Sequence, residues 1–204
     1  MPLSSHILFA SVYLVAVASP GPSIAALVAR VLSRGTAGIV GFAAGFVVGD
    51  LVWFSVAALG FALVVRSFAI VFVGLKYAGA AYLAYLAWKN WTARTDTVEA
   101  ASQSGGDSAL RLFLGGLTLT LGNPKVILFF LVLLPSLVVL DNLTPLGIAE
   151  IGATIMVVLS AVLTAYVLAA ARARRIFTSS RARRVINRGA GTVMAGAAVA
   201  IATR

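Results

Sequence analysis

One acid and two lysines lie inside apolar segments of this 204-residue chain. Asp50 interrupts GFAAGFVVGDLVWFSVAALGFALVV, and such a run is long enough to cross a bilayer, which takes about 20 mostly apolar residues. Lys76 and Lys125 interrupt two other apolar runs. A charged group at mid-bilayer costs about 3 kcal/mol even on lenient scales, so it normally faces a protein interior or a water-filled path. The three residues predict a transport site.

Two proline breaks lie in the middle of apolar segments as well. One is the sequence Pro-Gly-Pro-Ser at 20–23, and the other is Asn-Pro-Lys at 123–125. Proline removes a backbone donor and clashes with the preceding turn, and the freed backbone groups need partners in protein, water or ligand. Broken helices beside buried charge are typical of secondary transporters. The alternatives are simple kinks, and a structural ion pair between Asp50 and one of the lysines.

The amino-acid composition indicates that most of the protein surface faces lipid and not water. The chain is 61% hydrophobic and only 11% charged, with a mean hydropathy of +1.03. Soluble domains average about 45–50% apolar residues and about 25% charged residues. The net charge of +10 would suggest nucleic acid in a soluble protein, but the basic residues here cluster between apolar runs. We therefore expect a lipid bilayer and no nucleic acid as partner. The absence of cysteine excludes disulfides and thiolate metal sites.

The apolar runs predict an all-α membrane protein that forms one domain over residues 1–204. Its six transmembrane helices are expected at about 5–28, 38–62, 68–88, 111–138, 146–170 and 185–203. A polar stretch at 89–110 separates two halves of about 1–90 and 111–204. The first loop is expected over Arg30 to Gly35, and the fifth near 171–184.

Basic residues between the spans set the predicted orientation. Loops one, three and five with their flanks hold twelve of the sixteen Lys and Arg residues, whereas the opposite side holds only Arg66 and Arg204. The positive-inside rule then places the three basic loops, including 89–110, in the cytoplasm and both termini in the periplasm. The two halves would have opposite orientations, with a proline break in the first span of each. This pattern predicts two inverted three-helix repeats.

Depth along the helices brings the unusual residues together. Pro20, Asp50 and Pro124 each lie about 18–23 Å from the start of their spans, which is near mid-bilayer. Lys76 is expected nearer the outer side. In the second span, Gly41, Gly45 and Gly49 recur at every fourth position, which allows close approach of another helix. We expect that contact within the monomer, with a homo-oligomer contact as the alternative.

Catalytic and metal-binding patterns find no support in the sequence. It has no Ser/His/Asp set, no HExxH motif and no phosphate-binding loop, so we expect no enzyme and no cofactor, and an ion gradient as the energy source. A divalent ion needs several oxygen ligands or histidines, and the chain has one deep acid and a single histidine, His6. No metal site is therefore predicted.

Four segments together resemble a known transporter family. They are SPGPS at 19–23, GFAAGFVVGDLVW at 41–53, LKYAGAAYLAYLAWK at 75–89 and GNPKVILFF at 122–130. Nearly the whole chain is similar to the lysine exporter (LysE) superfamily, and within it to the RhtB-type amino-acid efflux proteins. The resemblance implies six spans, proton-coupled export of amino acids and a bacterial inner membrane. Many relatives have Asn or Asp where this chain has Ser23, which leaves the identity of the substrate open.

The substrate and proton site predicted from the breaks, the buried charges and the resemblance has nine members. They are Pro20, Gly21, Pro22, Ser23, Asp50, Lys76, Asn123, Pro124 and Lys125. Asp50 is interpreted as the proton-coupling group, because burial opposes ionisation of a carboxylate and a nearby lysine favours it. Lys125 is expected to hold the substrate carboxylate, together with amides freed around the two breaks, and Lys76 is the next candidate.

Charge bookkeeping predicts a small neutral amino acid as substrate. Two lysines and one aspartate give the site a formal charge of +1, which suits a carboxylate. A cationic side chain would need a second buried acid, because unpaired charge in a low dielectric is costly. Three alternatives stay open: export of basic amino acids, export of a metal ion, and a non-transporting membrane assembly protein.

Overall fold

The computed structural model describes residues 3–58, 108–138 and 144–176, together with scattered helical positions between 77 and 92 and between 185 and 199. Within those residues every regular element is a helix. Six helices are labelled here in chain order: α1 Leu3–Ala18, α2 Pro22–Arg34, α3 Ile39–Ala58, α4 Ala109–Leu121, α5 Pro124–Leu137 and α6 Pro145–Ile176.

Helices α1 and α2 form the first predicted span, broken where the sequence expects it. The chain leaves α1 after Ala18 and restarts at Pro22, which occupies the first turn of α2, where a missing N–H costs nothing. The two helix axes differ by 52°. The first-loop prediction is wrong, because α2 continues to Arg34 and Arg30 is a helical residue with 6% exposure.

A tight turn at residues 35–38 replaces that loop. Gly35 and Gly38 have φ angles of 76° and 69°, in the left-handed region that favours glycine. The Arg30 guanidinium reaches into the turn, where Nη2 donates to the Ala37 carbonyl at 3.3 Å. The first basic loop is therefore shorter than predicted, and the side chain of Arg30 in α2 stabilises it.

Helices α4 and α5 repeat this arrangement in the fourth span. Gly122 and Asn123 separate them, Pro124 opens α5, and the axes differ by 55°. Five residues later α5 widens into a π turn at Phe129–Leu133, closed by the Leu134 amide donating to the Phe129 carbonyl. Such single π turns within α-helices are frequent at functional sites.

Helix α6 is longer than the predicted fifth span of 146–170. It runs to Ile176, so the fifth loop does not begin at 171 as expected. Its last turns contain three arginines, which are good helix formers, and Arg174 Nε donates to the Leu32 carbonyl at 3.2 Å. That contact joins the end of α6 to α2, which accounts for the extension of the helix.

Helices α3 and α4 make the closest helix contact in the described residues. A Cβ added at Gly45 would lie 2.6 Å from the Leu117 amide nitrogen, and one at Gly49 would lie 2.6 Å from Thr120 Cβ. Gly116 on α4 faces the Phe42 carbonyl in the same way. The glycine series of the second span thus packs within the monomer, as predicted, and brings Asp50 against the end of α4.

The length and hydropathy of the helices confirm an all-α membrane protein. Helices α3 and α6 are each able to cross a bilayer, and the bent pairs α1–α2 and α4–α5 supply two more spans. Spans three and six fall mostly outside the described residues. At their described positions, Trp91 Nε1 donates to the Arg188 carbonyl at 3.1 Å, so the end of span three contacts the start of span six.

Candidate functional site

The two helix breaks are bonded to each other. Asn123 Nδ2 donates to Ser23 Oγ at 3.0 Å, across a hundred residues of sequence. Lys125 Nζ donates to the Ser19 carbonyl, which the break frees at the end of α1. A Cβ added at Gly21 would lie 3.3 Å from Lys125 Cδ, so the lysine stem passes directly over the first break. The sequence predicted that the breaks share one depth, and the structure brings them into contact.

The two helices that restart after the breaks differ at their first turns. Asn123 caps α5, with its Oδ1 accepting from the Lys125 amide at 3.1 Å. The corresponding position before α2 is Gly21, which has no side chain and makes no such cap. The positive end of α2 therefore lacks an internal side-chain acceptor, and an anionic group of a ligand is stabilised at such a position.

Asp50 lies one helix away from these breaks, inside α3. Its side chain is 4% exposed, and its Oδ2 accepts a hydrogen bond of 2.7 Å from the Tyr13 hydroxyl. Asp50 and Lys125 attract each other electrostatically, although no direct ion pair joins them in the described residues. The carboxylate is thus held by α1, and the ammonium by the carbonyl at the end of α1.

A cavity of about 60 Å³ lies between these groups. This is several times the roughly 10–15 Å³ that one water needs. Its polar lining is contributed by Tyr13, Gly21, Ser23, Asp50, Thr120, Asn123 and Lys125. The rest of the lining is apolar and includes Ile24, Phe46, Val126, Leu159 and Leu163. The cavity therefore pairs one carboxylate and one ammonium with apolar walls.

Aromatic rings border the cavity towards both ends of the bundle. Phe9, Tyr13, Phe129 and Phe130 form a four-ring layer between the first half of α1 and the π turn of α5, with ring centroids 5.2–6.4 Å apart. On the other side, the rings of Phe42 and Phe46 of α3 pack in a tilted arrangement with their centroids 4.8 Å apart. All six rings are at most 7% exposed. The cavity lies between the two sets of rings.

The nine predicted site residues divide into three groups. Five line the cavity: Gly21, Ser23, Asp50, Asn123 and Lys125. The three prolines, Pro20, Pro22 and Pro124, shape the breaks instead of lining the cavity. Lys76 lies outside the described residues. The role assigned to each residue stays a prediction.

Two polar residues of the cavity lining, Tyr13 and Thr120, were missed by the sequence reasoning. Tyr13 stands seven residues before Pro20, which is two helical turns and therefore the same face, and that spacing was an available signal. Thr120 carries no such signal. It is 1% exposed, and its Oγ1 has no hydrogen-bond partner among the described residues.

Thr120 differs in this respect from other hydroxyl residues in these helices. Ser33, Ser55, Thr118 and Thr154 each donate to the carbonyl four residues earlier, at 2.7–2.8 Å. A serine or threonine hydroxyl inside a helix commonly finds its hydrogen-bond acceptor in this way. The cavity wall thus contains a hydroxyl that the described part of the protein does not use.

Comparison with known proteins agrees with this architecture. The LysE type translocator family matches residues 14–204. A membrane protein of Pseudomonas aeruginosa is 37% identical over 55% of this chain and 54% of its own length. A leucine efflux protein of Klebsiella pneumoniae is 32% identical over 52% and 50%, and a homoserine/homoserine lactone efflux protein of Salmonella typhimurium is 26% identical over 86% and 84%.

The first and second of these alignments span about half the length of the relatives, whereas the third spans most of it. No solved structure matches the chain significantly. Because the family match covers nearly the whole chain, including both helix breaks and Asp50, this protein belongs to the LysE type translocator family of membrane transporters, which are not enzymes.

Proposed function

We propose that the protein exports small neutral amino acids across a bacterial inner membrane, driven by an ion gradient with protons as the coupling ion. The observation that carries the proposal is the cavity itself. It sets a buried carboxylate, Asp50, and an ammonium, Lys125, into otherwise apolar walls where two broken helices meet. That arrangement is complementary to a zwitterion with an uncharged side chain. The leucine and homoserine efflux activities in the names of two relatives point the same way.

The substrate carboxylate is assigned to Lys125 and to the uncapped first turn of α2. Lys125 Nζ now donates to the Ser19 carbonyl, and a carboxylate is a stronger acceptor for an ammonium than a carbonyl is. The Ser23 amide belongs to the helix start that lacks a side-chain cap at Gly21. A bound carboxylate would therefore exchange a weaker partner of the lysine for a stronger one.

The substrate amino group is assigned to Asp50. The Asp50 carboxylate has the Tyr13 hydroxyl as its hydrogen-bond donor among the described residues, and an ammonium is a stronger donor to a carboxylate than a neutral hydroxyl is. The remaining walls are aliphatic and aromatic, and they provide no second acid for a cationic side chain. This favours neutral over basic amino acids.

Proton coupling is assigned to Asp50 because the same oxygen atoms can hold either a proton or the substrate ammonium. Competition between two ligands for one group links their movements. Export would then run with protons moving inward as amino acid moves outward. The energy source is a gradient because the sequence has no nucleotide-binding motif.

Metal-ion export is the weaker alternative for this cavity. Within the described ranges there is no group of three or more His, Cys, Asp or Glu side chains able to hold a metal ion. A non-transporting assembly role leaves unexplained why charge is buried beside two broken helices. Basic amino acids remain a direct competitor and form one arm of the substrate test below.

The proposed orientation places both termini in the periplasm, and cysteine labelling tests it. The chain has no native cysteine, and Thr36 and Thr144 are exposed threonines in different loops. Thr144→Cys should react with a membrane-impermeant maleimide in intact cells, whereas Thr36→Cys should react only after permeabilisation. Reaction of both from the same side would contradict the proposed orientation.

The substrate class is tested by counterflow into proteoliposomes. Labelled threonine, homoserine or leucine should enter vesicles preloaded with the same unlabelled amino acid, and external unlabelled neutral amino acids should compete. Lysine and arginine should compete at least about tenfold more weakly, because an unpaired buried cation costs more than about 1.4 kcal/mol. Saturable lysine counterflow without response to neutral amino acids would assign the protein to the basic class.

Proton coupling is tested with Asp50→Asn in the same vesicles. The variant removes the titratable group while keeping the size of the side chain, so we expect pH-driven export to fall to the level of protein-free vesicles. Counterflow should persist with weaker affinity, because the Asn oxygen still accepts from the substrate ammonium but carries no charge. Glu150→Gln is the matched control, because it removes a carboxylate from α6 that does not line the cavity. Full pH-driven export by Asp50→Asn would remove Asp50 from the coupling mechanism.

A further inference from the structure

The hydrogen bond between Tyr13 and Asp50 joins two parts of the molecule that have different roles. Asp50 belongs to the cavity at the helix breaks, whereas Tyr13 also belongs to the four-ring layer. The bond is 2.7 Å long and buried, and the tyrosine is 1% exposed. Any change in what Asp50 binds therefore acts directly on Tyr13, which is a member of that layer.

The four-ring layer lies on one side of the helix breaks. Tyr13 precedes Ser19 by six residues, and Phe129 follows Asn123 by six, so both lie about 9 Å from the breaks along their helices. Because α1 ends at the first break and α5 starts at the second, the two helices occupy the same half of the bundle. The layer therefore separates the cavity from the end of the bundle where α1 begins.

Aromatic packing holds the four rings of this layer together in the described part of the protein. Tyr13 packs against Phe9, Phe129 and Phe130 at centroid distances of 5.3–6.2 Å, and aromatic pairs of this kind contribute modestly beyond their burial. Phe129 and Phe130 sit in the π turn of α5, where the backbone already departs from α-helical pairing. The hydrogen bond to Asp50 is a polar contact that joins this layer to α3, and hydrogen bonds to charged groups are the stronger ones.

We propose that Tyr13 couples the occupancy of Asp50 to the opening of the four-ring layer: its hydroxyl keeps the layer closed while Asp50 is empty, and a ligand that takes Asp50 releases it. Tyr13 is a positioning residue in this scheme, since it acts through Asp50. The scheme rests on the proposed function for the identity of the ligand, which is the substrate ammonium or a proton. The closed state itself depends only on the Tyr13–Asp50 bond.

The scheme orders the steps of export. Substrate that reaches the cavity with the layer closed would bind Asp50, displace the Tyr13 hydroxyl and so weaken the barrier towards the start of α1. The Phe42–Phe46 pair on the other side has no corresponding bond to Asp50 in the described residues. Only one of the two aromatic barriers is therefore tied to the state of the carboxylate.

Cysteine accessibility tests the proposal without any amino acid in the assay. Val17 lines the cavity one helical turn beyond Tyr13, so Val17→Cys in the cysteine-free chain reports whether the layer is open. Its reaction with a membrane-impermeant maleimide is followed from each side of oriented vesicles. Thr144→Cys marks the side on which α6 begins, which is the side of the four-ring layer.

The expected result is an increase on the Thr144 side only. In the Val17→Cys background, Tyr13→Phe keeps the stacked ring and removes the hydroxyl, and it should speed labelling about tenfold or more, the effect of losing one hydrogen bond to a charged group. Tyr85→Phe, a half-exposed tyrosine that does not line the cavity, should leave the rate unchanged. An unchanged rate in Tyr13→Phe, or an increase only from the opposite side, would overturn the proposal.

A double-mutant cycle separates this mechanism from simple loosening of the helices. Asp50→Leu removes the acceptor at similar size, so it should raise Val17→Cys labelling as Tyr13→Phe does, and the double variant should add nothing further. Additive rate increases would show that the two residues act independently. If Tyr13→Phe does not fold, Asp50→Leu alone decides, because unchanged labelling would contradict the closed-state role. Loss of amino-acid counterflow in the parent protein with the labelling changes intact would instead refute only the proposed function.

Discussion

The contact between the two helix breaks is the interaction on which the rest of the site depends. Each break frees backbone groups that lipid cannot satisfy, and here each supplies partners for the other. Asn123 caps its own helix with one amide atom and reaches Ser23 with the other, while Lys125 satisfies the Ser19 carbonyl. Without this exchange, two proline-broken helices would leave unsatisfied backbone groups at mid-membrane. With it, they enclose a cavity, and α3 closes that cavity with Asp50 because glycines bring α3 against α4.

The same hydrogen bonds that close the empty site can be exchanged for hydrogen bonds to a ligand. The bonds that close the breaks are made by side chains, and several of their partners are ones that a zwitterion can replace. A carboxylate can take the place of the Ser19 carbonyl at Lys125, and an ammonium can take the place of the Tyr13 hydroxyl at Asp50. In the empty state both charged groups thus have partners within the protein, and under the proposed function a substrate that carries both charges competes best for them.

Much of the site was predictable from sequence because its signals are local. Prolines in apolar runs mark the breaks wherever they occur, and a single acid in a span marks a buried charge, so Asp50, Asn123 and Lys125 were found. Helix ends were less predictable. Arg30 and Arg174 were expected in loops, but each lies within a helix and donates from its side chain to a nearby carbonyl. Tyr13 was missed although it stands two helical turns before Pro20, because its contact with Asp50 is a tertiary one. Thr120 was missed because it packs against Gly49 of α3, which no spacing within α4 specifies.

The central claim is that an amino acid binds with its carboxylate at Lys125 between the two breaks, and calorimetric titration of purified Lys125→Met with threonine, homoserine and leucine tests it most directly. The account predicts affinity at least about tenfold weaker than wild type, as expected for loss of a charge-assisted bond. Arg111→Met, which removes an exposed cation outside the cavity, should bind as wild type does. Wild-type affinity in a folded Lys125→Met protein would contradict the account and place the carboxylate elsewhere.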